Sequence, residues 1–283
     1  MARPKKVIRK PAVVQANDRK RYLWLSIAIP IAIVGILYIV LLKTNLSYTI
    51  KQWWYGEEQS NSHSAGEHDK RNLALMQDHK ERVFGIDISQ YQGKIAWDEV
   101  ATIHDAVPLD FVFIRASMGE SAVDKRFKEN WAAVARRSKL RGAYHYFRPN
   151  ENSKKQARNF IKMVQLRPGD LPPVLDIEER PRRQSMDSLK TGLKRWLEEV
   201  EAHYGVQPIL YSGDSYFTDF LEKEFSDYVL WIANYNFWVD KPKQHWNFWQ
   251  FSEKGAVQGI KGPVDLNMFN GSLEDLEALA IPY

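Results

Sequence analysis

The sequence predicts an α/β fold class: an irregular TIM-like (β/α)5β3 barrel preceded by a single transmembrane helix. Three observations predict it. A run of 21 residues without a charged side chain, Tyr22 to Leu42, lies near the start of a 283-residue chain. From residue 83 onward, short apolar strand-like segments alternate with helix-like ones, the mark of parallel βα units. After Tyr211 the rhythm changes, and the last three strand candidates follow with too little chain between them for crossover helices.

Residues 1–21 form a basic tail. It holds eight Lys/Arg against Asp18, a net of +7, while the remainder carries 32 basic and 34 acidic residues, a net of −2. The overall charge of +5 therefore belongs to the tail, and the globular part has no basic surplus for nucleic acid. Residues 22–42, at about 1.5 Å per residue, span roughly 30 Å, enough for the hydrocarbon core. Pro30 and Gly35 are tolerated in a membrane helix, and Tyr22, Trp24 and Tyr38 lie towards its ends as interfacial aromatics do. The run exceeds the roughly 7–15 apolar residues of a signal peptide, and Lys43-Thr44-Asn45-Leu46 offers no small-x-small cleavage site. An uncleaved, single-pass anchor is expected, with the N-terminus in the cytoplasm and the rest outside.

Residues 43–82 read as a polar linker, with a short helix around Leu73–Gln77. Its histidines, His63, His68 and His79, are not three or four apart, so a helix would not stack them as a metal site. They are expected to be solvated. The chain has no Cys, which excludes disulfides, thiol catalysis and Cys-ligated metals.

The remaining domain, 83–283, offers strands at 83–89, 111–117, 142–147, 173–178, 208–212, 228–235, 246–252 and 264–269. Helices are expected at 97–106, 125–140, 153–165, 188–204 and 214–223. In a barrel of this type the C-terminal strand ends gather at one mouth. Asp87, Tyr144, Tyr146, Asp176, Glu178, Tyr211, Trp231, Trp249 and Asp265 all lie near such ends or in the late strands. Asp176 and Glu178 are two apart, so on a strand they face the same way, with Cα atoms roughly 6.5 Å apart. Two such carboxylates cannot both ionise freely, and a neutral acid beside an anion is what glycosidic cleavage needs. The ten Trp, thirteen Tyr and thirteen Phe fit either a well-filled core or a cleft lined for sugar stacking. His145 alternates with Tyr144 and Tyr146, and so is expected behind the barrel wall.

The ordered set of motifs is more specific than any one of them. It runs through Gly85-Ile86-Asp87-Ile88-Ser89 with Tyr91-Gln92-Gly93, Phe113-Ile114-Arg115-Ala116-Ser117 and Arg141-Gly142-Ala143-Tyr144-His145-Tyr146-Phe147. It continues with Leu175-Asp176-Ile177-Glu178, Ile209-Leu210-Tyr211-Ser212, Leu230-Trp231-Ile232-Ala233, Trp249-Gln250-Phe251 and Val264-Asp265-Leu266-Asn267. Together these resemble glycoside hydrolase family 25, the Chalaropsis-type muramidases. The resemblance implies hydrolysis of the β-1,4 bond between N-acetylmuramic acid and N-acetylglucosamine in peptidoglycan, without metal or cofactor. It implies Glu178 as general acid and Asp176 as the residue that orients the substrate's 2-acetamido group, which attacks the anomeric carbon with retention. Asp87 and Asp265 match the family's other acidic positions. Tyr144, Tyr146, Tyr211, Trp231 and Trp249 are candidates for binding the glycan. Asn234 departs from the family, which often has Arg there, and an N-terminal anchor is uncommon in it.

Three rivals remain at this point. A chitinase-like glycosidase would need further aspartates upstream of Asp176, where the chain has Leu171-Pro172-Pro173-Val174. A tethered glycan-binding module without catalysis does not need an acid pair. A metal-dependent hydrolase would need a His partner at ligand spacing.

Overall fold

The computed structural model describes residues 65–137, 139–242 and 245–282. The expected tail and span, 1–42, lie outside the described residues, as does the linker up to residue 64. Among the described residues no helix is long and apolar enough to cross a membrane.

Eight strands close a barrel: β1 (Val83–Ile88), β2 (Phe111–Met118), β3 (Leu140–Tyr146), β4 (Val174–Asp176), β5 (Ile209–Gly213), β6 (Leu230–Ala233), β7 (Phe248–Gly255) and β8 (Val264–Phe269). Neighbours in the sheet follow chain order, and β1 pairs with both β2 and β8 to complete the ring. Strands β1 to β7 are parallel, while β8 runs antiparallel to both of its neighbours. The short β6–β7 and β7–β8 connections account for the helix-poor side that the sequence anticipates.

The parity of each strand divides the apolar residues into two cores. Phe111, Phe113, Val174, Ile209, Trp231, Phe248 and Phe269 point inward and plug the barrel. Val112, Ile114, Leu175, Leu210, Ile232 and Trp249 point outward and are covered by helices and loops. The plug is tight at Gly85 and Gly142: a Cβ there would stand 2.5 Å from the Phe111 ring and 2.4 Å from the Phe113 ring.

The covering helices carry their own signals. Met186–Tyr204 is capped by Ser185, whose side chain accepts from the Ser188 N–H, and ends at Gly205 in the left-handed conformation at φ 72°. It buries Leu189, Leu193, Trp196, Leu197 and Val200, the stripe of an amphipathic helix. Ser153–Met163 is capped by Asn152 and buries Gln156, Ala157 and Phe160.

Several expectations change. The helix expected at 97–106 is a single 3-10 turn, Trp97–Glu99, followed by a small hairpin of Thr102–Ile103 and Val107–Pro108. His104 and Asp105 form its turn at positive φ, and β-branched Thr102 and Ile103 suit a ladder better than a helix. The helix expected at 125–140 is confined to Phe127–Val134, after which Arg137 turns back to bond the carbonyls of Trp97 and Ala133. The segment 214–223 is helical but passes through a π turn at Phe217–Leu221. Residues 65–78 are no tether: Ala65–Asp78 is a 14-residue helix, α1, that buries Asn72, Leu75 and Met76 in the same compact unit as the barrel.

Candidate active site

A cavity of about 220 Å³ opens at the C-terminal end of the parallel strands. Its floor and walls come from one register line. Tyr146, Asp176, Tyr211 and Trp231 are successive lateral partners on β3, β4, β5 and β6, so all four face inward at one level. On the other side, Asp87 lies near the end of β1 and Asp265 near the start of β8. Because β8 is reversed, its first residues reach the same mouth, where Asp265 is the register partner of Asp87.

Asp176 is the deepest acid, 4% exposed, and its Oδ1 has no hydrogen-bond partner among the described residues. Glu178 stands just past the end of β4, exposed at the mouth, because the strand is shorter than expected. Pro172 and Pro173 lack the N–H groups that would extend it backward. The two carboxyls lie close enough for each to shift the other's pKa. Burial drives the Asp176 pKa well above the carboxylate range, and the charge of Glu178 and then Asp87 raise it further, against the pull of Arg115. Glu178 is also raised, by the protein around it and by Asp87 and Glu179, while its closeness to Asp176 lowers it. Solvent reaches Glu178, so the surrounding wall desolvates it only in part. Both carboxyls are thus held toward their protonated forms, Asp176 the more strongly.

Asp87 is 5% exposed and holds two donors on one oxygen: Gln250 Nε2 at 2.5 Å and Asn267 Nδ2 at 2.8 Å both donate to its Oδ2. Burial still pushes its pKa up to about 6. Asp265 is raised well above the usual range by burial and then by the charge of Asp87.

The aromatic candidates divide. Tyr144, Tyr146, Tyr211 and Trp231 line the cavity. The Tyr146 hydroxyl donates to Glu179 Oε1 at 2.9 Å, and that of Tyr211 to Gln250 Oε1 at 2.7 Å. Trp231 forms the floor, 2% exposed, stacked on Phe113 at 4.5 Å, with its indole N–H donating to Asn267 Oδ1 at 2.8 Å. Trp249 does not reach the site. It faces outward on β7, fully buried beside Trp246 and Phe251, and donates to the Asn234 carbonyl at 3.1 Å. Strand alternation explains the correction: its neighbour Gln250 is the residue that faces the cavity.

Among the residues of the site that are not sequence candidates, five carry polar or aromatic groups that bear on the acids or the wall: Tyr91, Arg115, Tyr235, Gln250 and Asn267, the last of which touches the site through Asp87 and Trp231. Four of them fall inside the quoted motifs, and the inward parity of Asp265 marks Asn267, two residues on. Tyr235 is the last residue of the strand expected at 228–235, but β6 ends at Ala233 and Tyr235 stands in the loop beyond it. Behind the wall, His145 is fully buried between Ser117 (Oγ at 2.8 Å) and Gln156 (Oε1 at 3.2 Å), as alternation predicts, and burial lowers its pKa to about 4. Asn234 bonds Asp214 at 2.6 Å in place of an Arg. His68 packs edge-on against Phe237. Among the described residues no group of His, Asp and Glu has a metal-holding arrangement.

A larger cleft of about 910 Å³ lies at the opposite end of the barrel, beside the starts of β2 and β3. Its Asp170 is taken up by Arg141 at 2.6 Å, and no coupled acid pair lines it. The acids place the chemistry at the smaller cavity.

Known proteins share this arrangement. The family model for glycosyl hydrolases family 25 matches residues 86–260. Protein YegX of Escherichia coli K12 is 42% identical over 198 residues, 69% of this chain and 72% of the relative. Lysozyme M1 of Streptomyces globisporus is 33% identical over 215 residues, 70% of this chain and 71% of the relative. Among solved structures, a family 25 glycosyl hydrolase from Bacillus anthracis superposes with a TM-score of 0.63 at 28% identity, covering 71% of this chain and 95% of the other. A bacterial lysozyme from Streptomyces coelicolor does so with a TM-score of 0.63 at 31% identity, covering 70% and 96%. A family match across more than half of the chain, on a barrel with the acids at its mouth, makes this enzyme a member of family 25 of the glycoside hydrolases.

Proposed function

We propose that the enzyme is a muramidase, cleaving the β-1,4 bond between N-acetylmuramic acid and N-acetylglucosamine in peptidoglycan. The coupled Asp176–Glu178 pair at the mouth carries this reading, supported by the likeness to Lysozyme M1. In this reading the substrate's own 2-acetamido group is the nucleophile.

The 2-acetamido N–H of the sugar donates to Asp176 and stabilises its anion, which leaves the proton on Glu178. Glu178 protonates the glycosidic oxygen as the acetamido oxygen attacks the anomeric carbon, giving an oxazolinium ion beside Asp176. Glu178, now a carboxylate, takes a proton from water as that water opens the ring, with net retention. Asp87 and Asp265 keep the cluster proton-rich. Tyr144, Tyr146 and Tyr211 meet the glycan, and Trp231 supports it from below.

We also propose that residues 22–42 anchor the chain in a bacterial inner membrane, with residues 1–21 cytoplasmic and the barrel facing the wall. The length and apolarity of that run support it. Alkaline extraction of membranes and protease access from the outer side test the anchor: release of the chain by alkali overturns it.

The activity is tested by mass spectrometry of peptidoglycan digested with the full chain in detergent. Muropeptides with reducing-end N-acetylmuramic acid from the wild type and not from Glu178→Gln are expected. Binding of glycan without release by either protein would replace the muramidase with a tethered binding module, and release of chitin oligomers alone would mark a chitinase-like enzyme.

A further inference from the structure

Helix α1 lies upstream of the segment matched by the family model, yet it reaches the loop that carries Tyr235, a residue of the cavity wall. Its Arg71 is the contact. Nη1 donates to the Phe251 carbonyl at 2.6 Å, and Nη2 donates to the carbonyls of Val239 at 3.1 Å and Asn236 at 3.4 Å. The guanidinium also lies 6.0 Å from the ring centres of both Trp249 and Phe251. One planar fork therefore joins α1 to β7 and to the loop that leaves β6.

The loop also carries bonds of its own. The Asn236 N–H donates to Asn234 Oδ1, the Trp238 N–H to Asn236 Oδ1 and the Val239 N–H to the Asn236 carbonyl. At its start the Trp249 indole N–H donates to the Asn234 carbonyl. The loop carries Tyr235, whose hydroxyl donates to Gln250 Oε1 at 2.5 Å and lies 3.3 Å from the Tyr211 hydroxyl. Gln250 in turn donates to Asp87. A continuous path of bonds leads from Arg71 through the loop to an acid of the site.

We infer that Arg71 is a positioning residue for the active site: through the Asn236 and Val239 carbonyls it holds Tyr235 on Gln250, and so makes the helix before the barrel part of the catalytic unit. Arg71 touches no substrate. Backbone carbonyls that turn freely in solvent do not hold a phenol within hydrogen-bond range of a buried amide, and small displacements at such distances are costly to rate. Only the kinetic arm of the test rests on the muramidase reading.

The test is a double-variant cycle on the full chain, Arg71→Gln with Tyr235→Phe. Arg71→Gln is expected to lower kcat/KM on peptidoglycan about tenfold, and to have little further effect in the Tyr235→Phe background. Arg71→Lys, which keeps the charge but not the fork, is expected to fall between Arg71→Gln and the wild type. Hydrogen exchange of amides 234–240 gives a readout without catalysis: it should rise in Arg71→Gln while the amides of β4 and β5 stay protected. Equal losses from Arg71→Gln in both backgrounds, or unchanged exchange in the loop, overturn the inference. Exchange that rises throughout the barrel overturns it as well, since Arg71 would then serve stability alone. A wild type inactive on peptidoglycan refutes the muramidase reading and leaves the exchange result to decide the role of Arg71.

Discussion

Asp87 and Asp265 are register partners across the antiparallel β1–β8 pair that closes the barrel. A parallel closing strand would have carried Asp265 to the far end, because it is the second residue of β8. The reversal brings a strand start to the mouth, and two further acids join Asp176 and Glu178 there. Burial raises all four, and the charge of Asp87 makes ionisation of the other three harder still, so the cluster holds protons into a pH range where free carboxylates have lost them.

This has a consequence for stability at Asp87. Its folded-state pKa, about 6, lies above the 3.8 of the free group. The folded state thus binds this proton more tightly than the unfolded one, and the stabilisation is complete below about pH 4 and lost as pH rises through about 6. Asp87→Asn removes the dependence. Gln250 and Asn267 both donate to one oxygen, which the amide carbonyl can replace. We expect Asp87→Asn to be more stable than wild type by roughly 2–3 kcal/mol at pH 8 and by little at pH 4. Urea denaturation at both pH values decides it, and an equal effect at each refutes the argument.

The coupling of Asp176 to Glu178 predicts a second titration. After burial, the charge of Glu178 is the largest cause of the high Asp176 pKa. Glu178→Gln removes that charge and places an amide donor beside Asp176, and both changes favour its anion. Carboxyl carbon NMR of the variant should show Asp176 titrating at lower pH than in wild type. Activity should fall by about 10²–10⁴, the usual contribution of a general acid. An Asp176 signal that titrates at the same pH in both proteins would exclude the coupling.

Arg115 acts on the same group with opposite sign. Its guanidinium lines the cavity, pairs with Asp124 at 3.2 Å and lies 4.8 Å from the Tyr91 ring, and its charge lowers the pKa of Asp176. Without it, Asp176 should ionise at higher pH. If Asp176 acts as an anion, the acid limb of the kcat/KM–pH profile moves upward in Arg115→Met and much less in Arg115→Lys. An acid limb that stays in place in both variants would separate Arg115 from the ionisation of Asp176.

The eight strands are legible in the sequence because each is a short apolar run with its own boundaries, and the acids are legible because most of them end such runs. Parity and reach are not. The sequence pattern puts Trp249 in the site, although β7 turns Gln250 inward instead, since the Phe248-Trp249-Gln250-Phe251 run shows no alternation that fixes a face. A strand buried on both sides hides its orientation. The roles of Tyr235 and Arg71 are not legible at all. They depend on a loop carbonyl and a helix that meet across 165 residues of chain, which no local pattern records.

The plug beneath the site gives a last prediction. Gly85 faces the Phe111 ring so closely that a Cβ would come within 2.5 Å of it, and Phe111 packs edge-on against Phe113, which stacks on the floor residue Trp231. Gly85→Ala must push that ring, and overpacking of this kind costs about 1–3 kcal/mol. Phe111→Leu alone leaves a hole and is also destabilising. The methyl that Gly85→Ala adds partly fills that hole, so the double variant should be more stable than the sum of the single effects allows. Urea denaturation of the four proteins measures the coupling. Strict additivity would mean that the space at Gly85 is not what seats the Phe111 ring.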